Sequence, residues 1–162
     1  IGGGEYTCFL NGNENACTPE MFVRYAQIAA LMPVMQFSAS PWRVLPEADF
    51  QKVKDALALR EKCLPEILKA VECAKVTGEP IARSMEFVFP GQGMERVMDQ
   101  FMVGDALLVA PVWKQGEVAR SVRLPEGQWR CVGLGETEGD VLNGGRDVIL
   151  GENEGLVVLK RV

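Results

Sequence analysis

Asp99-Gln100-Phe101-Met102-Val103-Gly104-Asp105-Ala106-Leu107-Leu108-Val109-Ala110-Pro111-Val112 joins two segments with different physics. Residues 99–105 form a polar, turn-like stretch that holds a glycine, and 106–112 are an unbroken apolar run with a proline near its end. A short apolar run bounded by turn signals predicts a strand buried on both faces. Pro111 lacks a backbone N–H, so the hydrogen-bond ladder should stop there.

Working outward, the residues after this run keep a period of two. Segments 120–124, 129–132, 146–150 and 155–159 read as short strands, with glycines and acidic residues between them. That spacing predicts a β-sandwich or meander. On the other side, residues 81–89 alternate partly and Pro90-Gly91-Gln92-Gly93 reads as a turn. Earlier still the period is helical. Thr18-Pro19-Glu20 supplies a capping hydroxyl, a proline suited to the first turn and an acid at the positive end of the helix dipole. Met21, Tyr25, Ile28 and Leu31 then mark one apolar face of a helix over about residues 19–31. Pro33 ends it, and Val34-Met35-Gln36-Phe37-Ser38 reads as a short buried strand. A loop with Pro41-Trp42 leads to a long helix carrying Phe50, Val53, Leu57, Leu64, Ile67 and Val71, with Asp49 as its cap and Gly78 just past its end. Pro65 within it should kink or split the helix. Residues 1–17 are rich in glycine and asparagine and read as a loop. The chain is thus α/β first and all-β second, changing between residues 78 and 90.

Composition removes several function classes. A chain of 162 residues holds one ordinary domain or two small pieces. Its 48% hydrophobic and 24% charged content is that of a globular protein. A net charge of -5 without a basic cluster argues against nucleic-acid binding. No apolar stretch approaches the length of a membrane span, and no leader opens the chain, so no membrane partner is expected. The five cysteines show no CxxC spacing and there is no histidine. No metal site is therefore expected, nor a Ser-His-Asp or Cys-His catalytic group. Free thiols in a reducing, cytoplasmic compartment are the expectation. No glycine-rich phosphate cradle is present, so no cofactor is expected. The opening Ile1-Gly2-Gly3-Gly4, without methionine, suggests a fragment.

The run 99–112 closely resembles the "DQFMLGDSLLVAPV" string of glycoside hydrolase family 31, the α-glucosidase and α-xylosidase family. Other pieces follow in the family's order. Ile1-Gly2-Gly3 is similar to the tail of its "DIGG" motif, and residues 24–33 resemble its "RWxQxGAFxP" helix. Pro41-Trp42 resembles its "PW" pair, Arg60 with Leu64-Pro65 its "R...LLPY" helix, and residues 77–83 its "xGxPxxRP" stretch. Residues 120–129 are similar to its "VYLPxGxW" segment. Any one piece is weak evidence; the ordered set covers nearly the whole chain.

This resemblance implies the last part of a (β/α)8 barrel over residues 1–80, followed by a proximal C-terminal β-sandwich domain over 81–162. It also implies a retaining hydrolase of terminal α-linked sugars, α-glucosides or α-xylosides, using two aspartates. Such chemistry needs two carboxyl groups roughly 5–5.5 Å apart. Both family aspartates precede "DIGG", so the resemblance leaves this chain with no catalytic residue and no activity alone. Met35-Gln36-Phe37-Ser38 stands where many members read "MRNH", so Gln36 replaces an arginine and Ser38 a sugar-binding histidine. Gly4 stands where an aromatic often follows "DIGG". These departures favour a subgroup with an altered sugar preference, or lost activity.

Gln36 and Ser38 are the expected substrate contacts, since barrel enzymes bind substrate at the C-terminal ends of their strands. Trp42 either stacks on a sugar face or covers the barrel rim. Arg24, Arg60 and Arg83 are expected in structural ion pairs, and Asp99 and Asp105 as turn and capping groups. A terminal α-glycoside is the implied ligand. An incomplete barrel also leaves apolar faces and strand edges open, so the chain should need the missing portion or self-associate. The alternative reading is a non-catalytic carbohydrate-binding or interaction module.

Overall fold

Thr18 begins the first element as the residue types require: its Oγ1 accepts from the Met21 N–H at 3.2 Å, capping helix α1 (Pro19–Ala30). The computed structural model describes residues 1–2, 17–132, 139–150 and 156–162. Most of the loop expected over residues 1–17, with Gly4 and Cys8, lies outside the described residues, as does Gly155.

Helix α1 turns a different face inward from the one its spacing suggests. Phe22, Val23, Ala26, Ala29 and Ala30 are buried, whereas Met21 and Tyr25 are 61% and 50% exposed. The helix is apolar nearly all round, so periodicity alone fits either face. The segment 34–38 is extended but is not a ladder strand. Its one backbone neighbour among the described residues is Ile1, whose N–H donates to the Gln36 carbonyl at 2.7 Å and whose carbonyl accepts from Ser38 N–H at 2.9 Å. Those two bonds have the pattern of a single parallel bridge between Ile1 and Phe37.

After the short helix α2 (Pro41–Val44), α3 runs unbroken over Glu47–Thr77. Pro46, not Asp49, is its cap residue; Asp49 lies in the first turn and pairs with Lys52 at 2.9 Å. Pro65 does not split the helix. Both Pro65 and Glu61, whose carbonyl loses its donor, are exposed, so water can satisfy the orphaned oxygen. Gly78 closes the helix as expected, at φ +77° with its N–H on the Ala74 carbonyl at 2.9 Å.

The remaining elements are β1 (Ala82–Ser84), α4 (Met85–Val88), β2 (Phe101–Val103), β3 (Leu107–Pro111), β4 (Arg120–Leu124), β5 (Gln128–Cys131), β6 (Val141–Asn143), β7 (Arg146–Leu150) and β8 (Leu156–Arg161). Residues 81–89 are thus half strand and half helix, because the Ser84 hydroxyl caps α4 by accepting from Phe87 N–H at 3.2 Å. The polar stretch 99–105 contains a strand, and only Gly104-Asp105-Ala106 turns. β2 and β3 form a hairpin in which Phe101, Met102 and Val103 face Val109, Leu108 and Leu107.

β3 lies inside an antiparallel sheet of order β1-β2-β3-β8-β5-β6, and β4 and β7 form a second, two-stranded sheet. All five β3 residues are buried, as the apolar run predicts. The pleat divides them between two cores. Leu107 and Val109, with Val103 and Val158, pack against Ala30, Leu31, Leu59, Cys63 and Ile67 of the α1–α3 layer. Leu108 and Ala110 face the second sheet, joining Met102, Val122, Leu124, Trp129 and Leu159. Helices, large sheet and small sheet therefore form three layers, with β3 central.

Candidate functional site

The expected substrate contacts sit where α1 hands over to α2. Three features place them. Arg60 of α3 donates to the carbonyls of Ala30, Met32 and Pro33 at 2.7, 2.6 and 3.1 Å. Arg60, expected in an ion pair, thus holds the C-terminal carbonyls of α1 and the start of the extended segment. The Ile1 bridge then fixes the backbone at Gln36 and Ser38. Met35 and Phe37 pack inward, with the Phe37 ring stacked 6.2 Å from that of Phe22.

Alternation does the rest. With Met35 and Phe37 committed to the interior, Val34, Gln36 and Ser38 face out, and all three are exposed. Gln36 and Ser38 share one side of the segment. Trp42 comes after a bend, on α2, with its indole 67% exposed. The set offers an amide, a hydroxyl and an aromatic face: neutral hydrogen bonding and stacking, with no group to attack a bond or shuttle a proton. No group of three metal-ligating side chains occurs among the described residues.

The acids of the 99–112 stretch are engaged elsewhere. Asp99 Oδ2 lies 2.5 Å from Arg120, and Asp105 Oδ1 lies 2.5 Å from Arg83, which also pairs with Glu79 at 2.9 Å. Both arginines are buried. The aspartates therefore neutralise buried guanidinium groups, a role beyond turn and capping. Cys63 is not a nucleophile: burial, reinforced by Glu66, pushes its thiol up to about 11, so it stays protonated near neutrality.

One feature was missed. The exposed Met21 and Tyr25 and the half-buried Ile28 of α1, together with Trp113 and Gln115 beyond β3, line an open groove of about 450 Å³. Trp113, directly after the apolar run, was the signal available, and it is 58% exposed.

Residues 78–148 match the Glycosyl hydrolase family 31 C-terminal domain. The chain is 37% identical over 133 residues to the myogenesis-regulating glycosidase of Mus musculus, covering 80% of this chain and 19% of that protein. It is 30% identical over 132 residues to an alpha-glucosidase of Saccharolobus solfataricus, covering 77% of this chain and 18% of that one. Among solved structures, a GH31 alpha-xylosidase from a soil metagenome, complexed with xylose, superposes with a TM-score of 0.75 at 28% identity, over 88% of this chain and 25% of that one. The chain spans about a fifth of the length of these curated relatives.

Proposed function

The chain belongs to glycoside hydrolase family 31, and we propose that it serves in a retaining enzyme that cleaves terminal α-linked sugars. Residues 1–80 are the end of the catalytic barrel and 81–162 the proximal β-sandwich. The parallel pair of hydrogen bonds between Ile1 and the backbone around Phe37, with α1 between them in sequence, supports the first assignment, since parallel pairing across an intervening helix is the repeating unit of such barrels. Gln36, Ser38 and Trp42 contact the sugar, and the nucleophile and acid/base come from residues outside this chain. The observation that carries the reading is the outward, exposed pair Gln36 and Ser38; a barrel binds its ligand at the C-terminal ends of its strands, and the reading assigns the pair to such an end.

Neutral Gln36 and Ser38 select a sugar whose hydroxyls need no charged partner. Cys63 and Cys73 are thiols rather than halves of a disulfide, which fits a reducing, cytoplasmic compartment. No described helix is long and apolar enough to cross a membrane. Leu57, Leu64 and Leu68 on the outer side of α3 are exposed, and they drive the isolated 162-residue chain to associate.

Nitrophenyl α-glucoside and α-xyloside hydrolysis by the protein in its native length tests this. Gln36→Ala and Ser38→Ala should each raise KM by roughly 3- to 30-fold, the value of one hydrogen bond to sugar. The 162-residue chain alone should show no turnover. Turnover by that chain, or variants with unchanged kinetics, would sink the assignment.

A further inference from the structure

The groove along α1 lies outside the Gln36–Ser38–Trp42 strip and has its own architecture. Its volume of about 450 Å³ falls within the roughly 300–1,000 Å³ typical of small-molecule sites. Two aromatic side chains, Tyr25 of α1 and Trp113 of the segment after β3, line it from different elements, together with Met21 and Ile28. Lys114 lies 5.5 Å from the Trp113 ring centroid and pairs with Glu117 at 3.2 Å, which steadies the indole from one side.

The polar edge is fixed more firmly. Glu20 Oε1 accepts from Arg24 Nε at 3.0 Å, Arg24 Nη2 at 2.7 Å and the Gly116 N–H at 2.8 Å. Arg24 also donates to the carbonyls of Val112 and Glu117 at 2.7 and 2.5 Å, tying α1 to the segment after β3. The Gly116 bond, then Arg24, holds the Glu20 carboxyl below its usual range, so it is ionised at neutral pH. All three donors meet at Oε1, and Oε2 takes none of these bonds.

A largely apolar lining with two aromatic side chains, beside an ionised carboxylate with lone pairs to spare, suits one chemistry well. A pyranose ring has C–H faces that lie against aromatic rings and a rim of hydroxyls that donate to carboxylate and amide oxygens. A wholly apolar occupant would strip water from Glu20 without replacing it. We propose that this groove is a second saccharide-binding site. It takes a short α-linked oligosaccharide, with sugar faces on Tyr25 and Trp113 and hydroxyls on Glu20 Oε2 and the Gln115 amide. The expectation of an α-linked glycan rests on the proposed function; the binding itself does not.

Calorimetric titration of the native-length protein with the thio-linked analogues of isomaltotriose and maltotriose, which a glycosidase does not cleave, tests it. In the wild type a trisaccharide should bind with a component that Trp113→Ala and Tyr25→Ala each weaken at least tenfold. Trp113→Phe, which keeps an aromatic face, should stay within threefold of wild type. Hydrolysis of nitrophenyl α-glucoside should be unaltered by Trp113→Ala. Should that variant fail to fold, the wild-type Trp113 indole N–H resonance, assigned by Trp113→Phe, must still shift on adding trisaccharide. If the enzyme assignment alone is wrong, hydrolysis is absent while the trisaccharide component and its loss in Trp113→Ala persist. Unchanged trisaccharide binding in folded Trp113→Ala, or an unmoved indole resonance, overturns the groove proposal. A variant that binds sugar normally but changes its oligomeric state overturns it too, and assigns the groove to protein contact.

Discussion

Replacing Arg120 with methionine should destabilise the fold more than replacing its acidic partner Asp99 with asparagine. The Arg120 side chain is 7% exposed and reaches four acceptors. Nη2 lies 2.5 Å from Asp99 Oδ2; Nη1 donates to the Asp99 carbonyl at 2.5 Å and to the Pro111 carbonyl at 2.8 Å; Nε donates to the Ser121 carbonyl at 3.2 Å. One side chain thus clamps both ends of the 99–112 stretch. Asp99→Asn removes only the charge-assisted contact. The Asp99 side chain is 47% exposed, so water and salt already screen it, and the loss should be about 1 kcal/mol. Arg120→Met strips the carbonyls as well. The Pro111 bond is buried, and leaving that oxygen unpaired adds about 1–3 kcal/mol. Losing the part-buried bonds to the Asp99 and Ser121 carbonyls adds to this and added apolar burial offsets a similar amount, for a total of about 2–4 kcal/mol. Urea unfolding followed by the fluorescence of buried Trp129 reads both variants, and m should stay constant if only stability changes. High salt screens the ion pair that both variants lose, so it should narrow both differences by a similar amount, a large share of the Asp99→Asn loss and a small share of the Arg120→Met loss. A loss for Asp99→Asn equal to that for Arg120→Met would refute the reasoning, as would an Arg120→Met loss below about 0.5 kcal/mol.

Gly104 turns the β2–β3 hairpin at φ +54°, and an added Cβ would stand 3.0 Å from the Ala70 Cβ of α3, so Gly104→Ala should cost about 1–2 kcal/mol in thermal melts. Ala70→Gly in the same chain should recover the part due to crowding. Cys63 titrates near 11 when folded against 9.0 ordinarily, so between those values the unfolded chain holds fewer protons and stability falls as pH rises. Cys63→Ala should flatten that decline in a pH series of urea titrations, and iodoacetamide at pH 8 should label Cys73 before Cys63. Arg60→Lys removes the fork that spans three carbonyls, so saccharide binding should weaken severalfold while circular dichroism stays native.

Where one signal dominated, the fold was legible in the sequence. Thr18 and Pro19 open α1, Gly78 ends α3, and the strands at 120–124 and 146–150 lie where alternation predicts. The buried β3 was plain from its apolar run. Elsewhere tertiary contacts chose among local options of similar quality, or the element was too short to leave a pattern. β2 hides between two aspartates because those acids answer buried arginines rather than solvent. β6 is three residues long and, among the described residues, pairs with β5 alone, too short for periodicity to register. The stretch 34–38 has strand-like residues, but a ladder needs partners, and Ile1 supplies a single bridge.

The two faces of α1 tie these points to function. Phe22, Val23 and Ala26 were available for the core, and so were Met21, Tyr25 and Ile28. Phe22 stacks on Phe37, and that contact turns Phe37 inward. Because strand residues alternate, turning Phe37 inward turns Gln36 and Ser38 outward. The same choice leaves Met21, Tyr25 and Ile28 on the outer face, beside Trp113. One rotation of α1 about its axis therefore exposes both the Gln36–Ser38 strip and the aromatic groove. Had the other face been buried, the groove floor would be gone and Phe37 would have lost its partner. A charged residue at position 22 should accordingly disturb both regions together, whereas one at position 25 should disturb only the groove.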